Sequence, residues 1–151
     1  MGKTSRTVFR KLTTEDAEIV AALDLKCFSE RDSFSCEDFI SAAQNKHCEY
    51  IVGERDGKII ACAGAEIHLD TAEIGTIAVD PEYRRQGIAT LLFIKLLVAI
   101  KERGATFMVL EVRPSNTAAI KLYEGFGFAI VEREKNFYGD EDAWIMVKDF
   151  S

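Results

Sequence analysis

Val79-Asp80-Pro81-Glu82-Tyr83-Arg84-Arg85-Gln86-Gly87-Ile88-Ala89-Thr90 is the stretch on which the fold turns. Before it, Glu73 to Val79 is a β-like run that Asp80-Pro81 stops. After it, Gly87 to Arg103 predicts a helix with the apolar stripe Ile88, Leu91, Leu92, Leu96 and Ala99, which Gly104 ends. Thr106 to Val112 follows as an apolar, near-buried strand. A strand, a long helix and a second buried strand imply a right-handed crossover between parallel neighbours.

Outward from that unit the chain keeps alternating. Thr7 to Lys11 predicts a first strand. A helix capped by Thr13 or Thr14 runs to about Cys27, with Ile19, Leu23 and Cys27 on its apolar side. Ser35 opens a second short helix. Asp56-Gly57, between Tyr50–Arg55 and Lys58–Ile67, is a strong hairpin signal. Ser115 is expected to cap a helix through Gly125, and the last strands lie near Ala129 to Lys135 and Ala143 to Lys148. The fold class is α/β (α+β): one mixed sheet of about seven strands with helices on both faces.

The chain has 151 residues, the size of one ordinary domain, so residues 1–151 are taken as a single unit. Hydrophobic residues make up 48% and charged residues 29%, with only ten Gly and two Pro, a composition that excludes a disordered or linker-rich chain. The net charge of −6 argues against a nucleic-acid phosphate binder, which needs a basic face, and leaves room for a basic protein or an amine as partner. No apolar stretch nears the ~20 residues that span a bilayer. Met1 to Arg6 carries no apolar signal region, and Arg6 stands where a myristoylation motif needs Ser or Thr. Cys27, Cys36, Cys48 and Cys62 form no Cys-x-x-Cys pair. They are expected to be reduced thiols of a cytoplasmic protein, with no metal site.

Three features carry chemistry. A helix N-terminus offers unpaired N–H groups and partial positive charge, and Gly87 and Ala89 leave room there for phosphates to approach. Arg84 and Arg85 add charge to an otherwise acidic chain. Neither the Walker pattern nor the three-glycine dinucleotide fingerprint is present, and a plain strand–helix turn also fits the glycine. Glu111 sits inside the apolar run Phe107-Met108-Val109-Leu110-Glu111-Val112-Arg113, toward the strand's C-terminal end, where ligands of α/β sheets gather. Partial burial would raise its pKa toward neutrality, as suits a general base; an ion pair with Arg113 or a sheet-edge charge is the other reading. Tyr123 fits either an acid or core filler.

Arg84-Arg85-Gln86-Gly87-Ile88-Ala89 resembles the Gln/Arg-x-x-Gly-x-Gly/Ala signature of the GNAT superfamily of N-acetyltransferases, and the strand–helix order fits along essentially the whole chain. Leu110-Glu111-Val112-Arg113, Ser115-Asn116, Ala118-Ala119-Ile120, Leu122-Tyr123-Glu124, Gly127-Phe128, Ile77-Ala78-Val79-Asp80-Pro81 and Asn136-Phe137-Tyr138 are similar to the RimI branch. The resemblance implies direct transfer from acetyl-coenzyme A to an amine in a ternary complex, with the cosubstrate in a gap between splayed fourth and fifth strands and no metal. It implies that Arg84, Arg85, Gln86, Gly87, Ile88, Ala89 and Thr90 hold the pyrophosphate and that Asn116 contacts the pantetheine arm. Main-chain N–H groups around Ile77, Ala78 and Val79 would orient the thioester carbonyl. Glu111 would be the base and Tyr123 the acid that protonates the thiolate.

RimI enzymes acetylate the N-terminal amine of ribosomal protein bS18, so a protein N-terminus is the expected acceptor. Phe34 and Tyr138 are expected to contact it, with Asp140, Glu141 and Asp142 as further candidates for an acidic groove. The branch carries Pro-Trp-Ser where this chain has Ser33-Phe34-Ser35, which bears on peptide preference more than on chemistry. A lysine, polyamine, antibiotic or other small amine is the alternative acceptor; a coenzyme A-binding sensor without turnover is the alternative class. His47 and His68 are expected on the surface, and the chain to be a monomer or weak homodimer.

Overall fold

The computed structural model describes residues 6–151. The reading of the chain start rests on residues 1–5, which lie outside the described residues. The strands are β1 (Val8–Lys11), β2 (Cys48–Arg55), β3 (Lys58–His68), β4 (Thr71–Val79), β5 (Phe107–Val112), β6 (Ala129–Glu134) and β7 (Ala143–Asp149). They form one seven-stranded sheet in the order β1-β2-β3-β4-β5-β7-β6. Every neighbouring pair is antiparallel except β4 and β5, the pair that the strand–helix–strand pattern predicts to be parallel.

The helices α1 (Ala17–Cys27), α2 (Cys36–Gln44), α3 (Ile88–Glu102) and α4 (Thr117–Gly125) divide between the two faces. On one, Val20, Leu23 and Phe39 pack on Val52 and Cys62. On the other, Leu92, Phe93, Leu96 and Ile100 pack on Ile60, Met108 and Leu110, with Tyr123 of α4. The hairpin turn falls on Asp56 and Gly57, both at positive φ (54° and 77°), as a type I′ turn requires. Gly104 ends α3 at φ 92°, and Ala105 N–H closes on Ile100 O at 3.1 Å in a Schellman arrangement.

Three local expectations differ from the structure. Ile19 is exposed, because the buried line of α1 is Ala17, Val20, Leu23 and Asp24. A hydrophobic pattern passes over a face that includes a carboxylate. Leu91 is exposed too, and Phe93 and Ile100 take the buried side of α3. The cap of α4 is Asn116, whose side chain accepts from Ala119 N–H, whereas Ser115 turns its N–H and hydroxyl to Glu141.

The feature that shapes the molecule lies in β4. Its register with β3 runs Gly64↔Thr76 and then Ala65↔Ile74, leaving Gly75 as a one-residue bulge. Its parallel pairing with β5 covers Thr71↔Phe107 to Glu73↔Val109 and goes no further. Beyond Glu73 the two strands part, as the fourth and fifth strands were expected to. Tyr50 lies across the bulge. A Cβ on Gly75 would stand 2.2 Å from the Tyr50 hydroxyl, and one on Gly64 2.1 Å from its ring. Gly64→Ala should therefore cost roughly 1–3 kcal/mol in chemical denaturation, by overpacking. An unchanged midpoint would mean that Tyr50 does not rest on Gly64.

Candidate active site

The gap between β4 and β5 opens on two cavities. One, of about 450 Å³, is lined by Ile77 to Val79, Arg84, Arg85, Gly87 to Thr90 and Asn116. Of the residues expected to hold the pyrophosphate, only Gln86 is missing from it. Its Oε1 instead accepts from Arg55 Nη1 at 2.7 Å. Gly87 is at φ 77° and caps α3; a Cβ there would meet nothing within 4 Å, so the protein leaves that space open. The first helical bond of α3 runs from Leu91 N–H to Gly87 O, which leaves the N–H groups of Ile88, Ala89 and Thr90 in the unpaired first turn. These features fit a pyrophosphate.

The wall on β4 follows from hydrogen-bond alternation. Asp80 N–H bonds to Ile60 O, so the main-chain groups of Val79 and Ile77 turn away from β3, toward the gap. Val79 O is taken there by Arg84 Nε at 3.1 Å and by the Cys27 thiol at 3.3 Å. Ala78 turns its main chain toward β3 and its side chain into the core under α1.

The second cavity, of about 330 Å³, lies on the other side of the gap and includes Phe34, Glu73, Glu111, Phe137 and Tyr138. Phe28, Ile77, Asn116, Ala119 and Tyr123 line both cavities, so the two meet. Glu111 makes no ion pair with Arg113, whose partners are Asp32, Asp140 and Glu141. Burial pushes the Glu111 carboxyl up, and the negative charges of Glu73 and Glu134 add to the rise. Tyr123 is buried beside Phe93 and Phe128, and that burial raises its phenol, which stays protonated and able to donate at neutral pH. Tyr138 is pushed up to about 12, by burial first and then by Asp32 and Glu111.

Sequence reasoning missed two residues. Glu73 lines the second cavity; it pairs with Val109 and so shares a sheet face with Glu111. The parallel pairing is legible in the sequence, but the register that sets Glu73 opposite Val109 is not. Asp24 gave no signal. It is 1% exposed and accepts from Phe34 N–H at 2.8 Å and from the Thr76 hydroxyl at 2.7 Å, fixing the loop after α1 against β4. The acidic residues after Gly139 are also occupied: Asp140 and Glu141 by Arg113, and Asp142 by Arg133 at 2.8 Å. They tie the loop down as well as charging it. His47 and His68 are exposed and line neither cavity. Among the described residues, no three His, Cys, Asp or Glu side chains group as metal ligands, and no helix is long and apolar enough to cross a membrane.

The sequence profile of the acetyltransferase (GNAT) family matches residues 17–128. This chain belongs to the GNAT family of acetyltransferases. Among relatives of this GNAT enzyme is the ribosomal protein bS18-alanine N-acetyltransferase of Escherichia coli K12, 35% identical over 91% of this chain and 95% of the relative. The crystal structure of the E. coli ribosomal-protein-S18-alanine N-acetyltransferase superposes with a TM-score of 0.87 at 33% identity, over 97% of this chain and 95% of the other. The PaiA N-acetyltransferase of Thermoplasma acidophilum, solved with coenzyme A, shares the fold at 20% identity, with a TM-score of 0.85 over 96% of this chain and 99% of that one.

Asp24 offers a direct check on how this GNAT site is held. Asp24→Leu leaves the buried Thr76 hydroxyl and the half-buried Phe34 N–H without this acceptor and should cost about 1–3 kcal/mol for the first and less for the second. Burial raises the folded carboxyl above its unfolded value near 4, so the wild type loses stability as pH climbs from there through the raised value. Asp24→Asn carries no such loss, and its stability relative to wild type should rise between pH 4 and neutrality. Parallel stability curves would show that the carboxyl is not perturbed.

Proposed function

We propose that the chain is a single N-acetyltransferase domain. It transfers the acetyl group of acetyl-coenzyme A to the N-terminal α-amine of a protein, ribosomal protein bS18 being the foremost candidate. The observation that carries this reading is the meeting of the two cavities at Ile77, Asn116 and Tyr123, with the Gly87 helix start on one side and Glu111 on the other. The relatives named for bS18 and their matching fold support the acceptor class.

In this reading the first-turn N–H groups of α3 and the guanidinium of Arg85 hold the pyrophosphate, while the Asn116 amide, its oxygen used as a cap, is left to meet the pantetheine arm. Acetyl-coenzyme A supplies the acetyl group as an activated thioester. Main-chain N–H groups of Ile77 and Val79 orient its carbonyl and favour the developing oxyanion. Glu111 takes the proton of the acceptor ammonium, directly or through water, and the amine nitrogen forms its bond to the carbonyl carbon as the carbon–sulfur bond breaks. Tyr123 gives its proton to the leaving thiolate, and the second proton that the nitrogen sheds as the amide forms passes through solvent and restores the phenol. Phe34 and Tyr138 line the acceptor path, and the enzyme works in the cytoplasm as a monomer or weak homodimer.

Mass spectrometry of ribosomal-protein N-termini, with and without the enzyme, tests the acceptor. Acetylation confined to lysine side chains, or equal turnover of blocked and unblocked peptides, would overturn it. Gly87→Val should weaken coenzyme A binding at least ~10-fold in calorimetry, from a branched side chain at positive φ and in the phosphate's path.

Glu111→Gln should lower kcat by ~10²–10⁴. The acid limb of kcat in the wild type should lie above the ordinary glutamate range near 4.3, and Glu73→Gln should move it to lower pH by removing a like charge. An unmoved limb would mean that Glu111 is not the titrating base.

A further inference from the structure

The acceptor-side cavity is walled by two loops that no strand pairing joins. One, residues 28–35, follows α1 and supplies Phe28, Asp32 and Phe34; the other, residues 135–142, precedes β7 and supplies Phe137 and Tyr138. Both reach the side chain of Arg113. Arg113, one residue beyond β5, donates to Asp32 in a fork, Nε to Oδ2 at 2.7 Å and Nη2 to Oδ1 at 3.1 Å. Its Nη1 donates across the gap to Asp140 at 2.9 Å and Glu141 at 3.1 Å. Its guanidinium carbon lies 4.3 Å from the centre of the Tyr138 ring.

We propose that Arg113 is a positioning residue that clasps these two loops together and so sets how an extended acceptor binds between them. The proposal rests on the acetyl-transfer reading above. A second cation, Arg31, also bridges, donating to Tyr138 O at 2.7 Å and Asp140 at 3.2 Å. That ion pair is about 60% exposed on both sides, whereas Arg113 is 20% exposed and its partners Asp32, Glu141 and Asp140 are 16%, 26% and 61% exposed. Exposed pairs contribute little, and forked, sheltered guanidinium–carboxylate pairs contribute more. The weight therefore falls on Arg113. Glu141 extends the clasp to the start of α4 by accepting from Ser115 N–H at 2.8 Å. Arg113 belongs to neither apolar core, so its removal loosens the acceptor walls before it loosens the fold.

The chemistry demands arginine at this position. A lysine ammonium is a point charge. It cannot fork onto Asp32, span to Asp140 and Glu141 and stack on Tyr138 at once. Without a cation here, three carboxylates face one another across the gap with only Arg31 between them, and the loops should part. An acceptor of one residue reaches Glu111 without using the loop tips. A longer peptide must lie between them.

The test compares two uncharged-side-chain acceptors with free amines, alanine amide and an alanine-leading tetrapeptide amide, at saturating acetyl-coenzyme A. For Arg113→Met the tetrapeptide KM should rise about tenfold or more while kcat falls less than about threefold, the signature of lost uniform binding. The loss in kcat/KM for alanine amide should be several-fold smaller. Arg113→Lys should recover little of the tetrapeptide KM. Asp32→Asn, which keeps the side chain's size, should move the tetrapeptide KM the same way by a smaller factor, and it serves if Arg113→Met does not fold. An unchanged tetrapeptide KM in both variants, an equal loss for both acceptors, or full recovery by lysine would overturn the clasp. A wild type that acetylates neither amine would overturn the acetyl-transfer reading and the clasp with it.

Discussion

Everything in this structure depends on β4 leaving β5. Two parallel strands tend to stay paired, because each unpaired main-chain group loses a hydrogen bond. Here the pairing stops at Glu73↔Val109, and the bulge at Gly75 turns β4 away just beyond it. The bulge needs two glycines, since Tyr50 occupies the space that side chains at 64 and 75 would fill. The groups freed by the parting are the ones an acyl donor can use. The main chain of Ile77 and Val79 faces the gap, and Val79 O is already satisfied by Arg84 and Cys27.

The parting also sets the electrostatics. A carboxylate inside a closed sheet would have to be paired. At the lip of an open one, Glu111 is half-buried and shares its surroundings with Glu73 and Glu134. Nearby positive charge is committed elsewhere, with Arg113 to Asp32, Asp140 and Glu141 and Arg31 to Asp140. Glu111 is left raised at the pocket wall, a setting that suits the proposed ammonium substrate. Asp24 and Arg113 do a different job: they hold the loops that wall this pocket, one from inside the core and one from its rim.

Much of this was legible before folding. The parallel pair, the helix start at Gly87, the Asp56-Gly57 turn, Glu111 on the half-open face of its strand and Tyr123 on the buried face of α4 all follow from short-range spacing. Two misses come from helix periodicity. Ile19 and Leu91 are exposed although a periodic pattern sets them inside: it scores hydrophobicity alone, so it does not see that α1 buries Asp24 or that α3 turns Phe93 and Ile100 inward. A motif also treats its loop as one unit, and only the folded chain shows the Gln86 side chain turned to Arg55, thirty-one positions away.

The sequence by itself determined the order of elements, the parallel crossover and the residue types at the helix start and along β5, because these depend on neighbours a few positions apart. Only the tertiary structure decided where β4 and β5 part, that Glu73 faces the same pocket as Glu111, and that Arg113 serves the loops and not Glu111. Those outcomes rest on contacts between residues tens of positions apart: Tyr50 on Gly64 and Gly75, Asp24 on Thr76, Arg113 on Asp32. Such contacts leave no periodic trace, since each is a match of shape or charge between segments that only the folded sheet brings together.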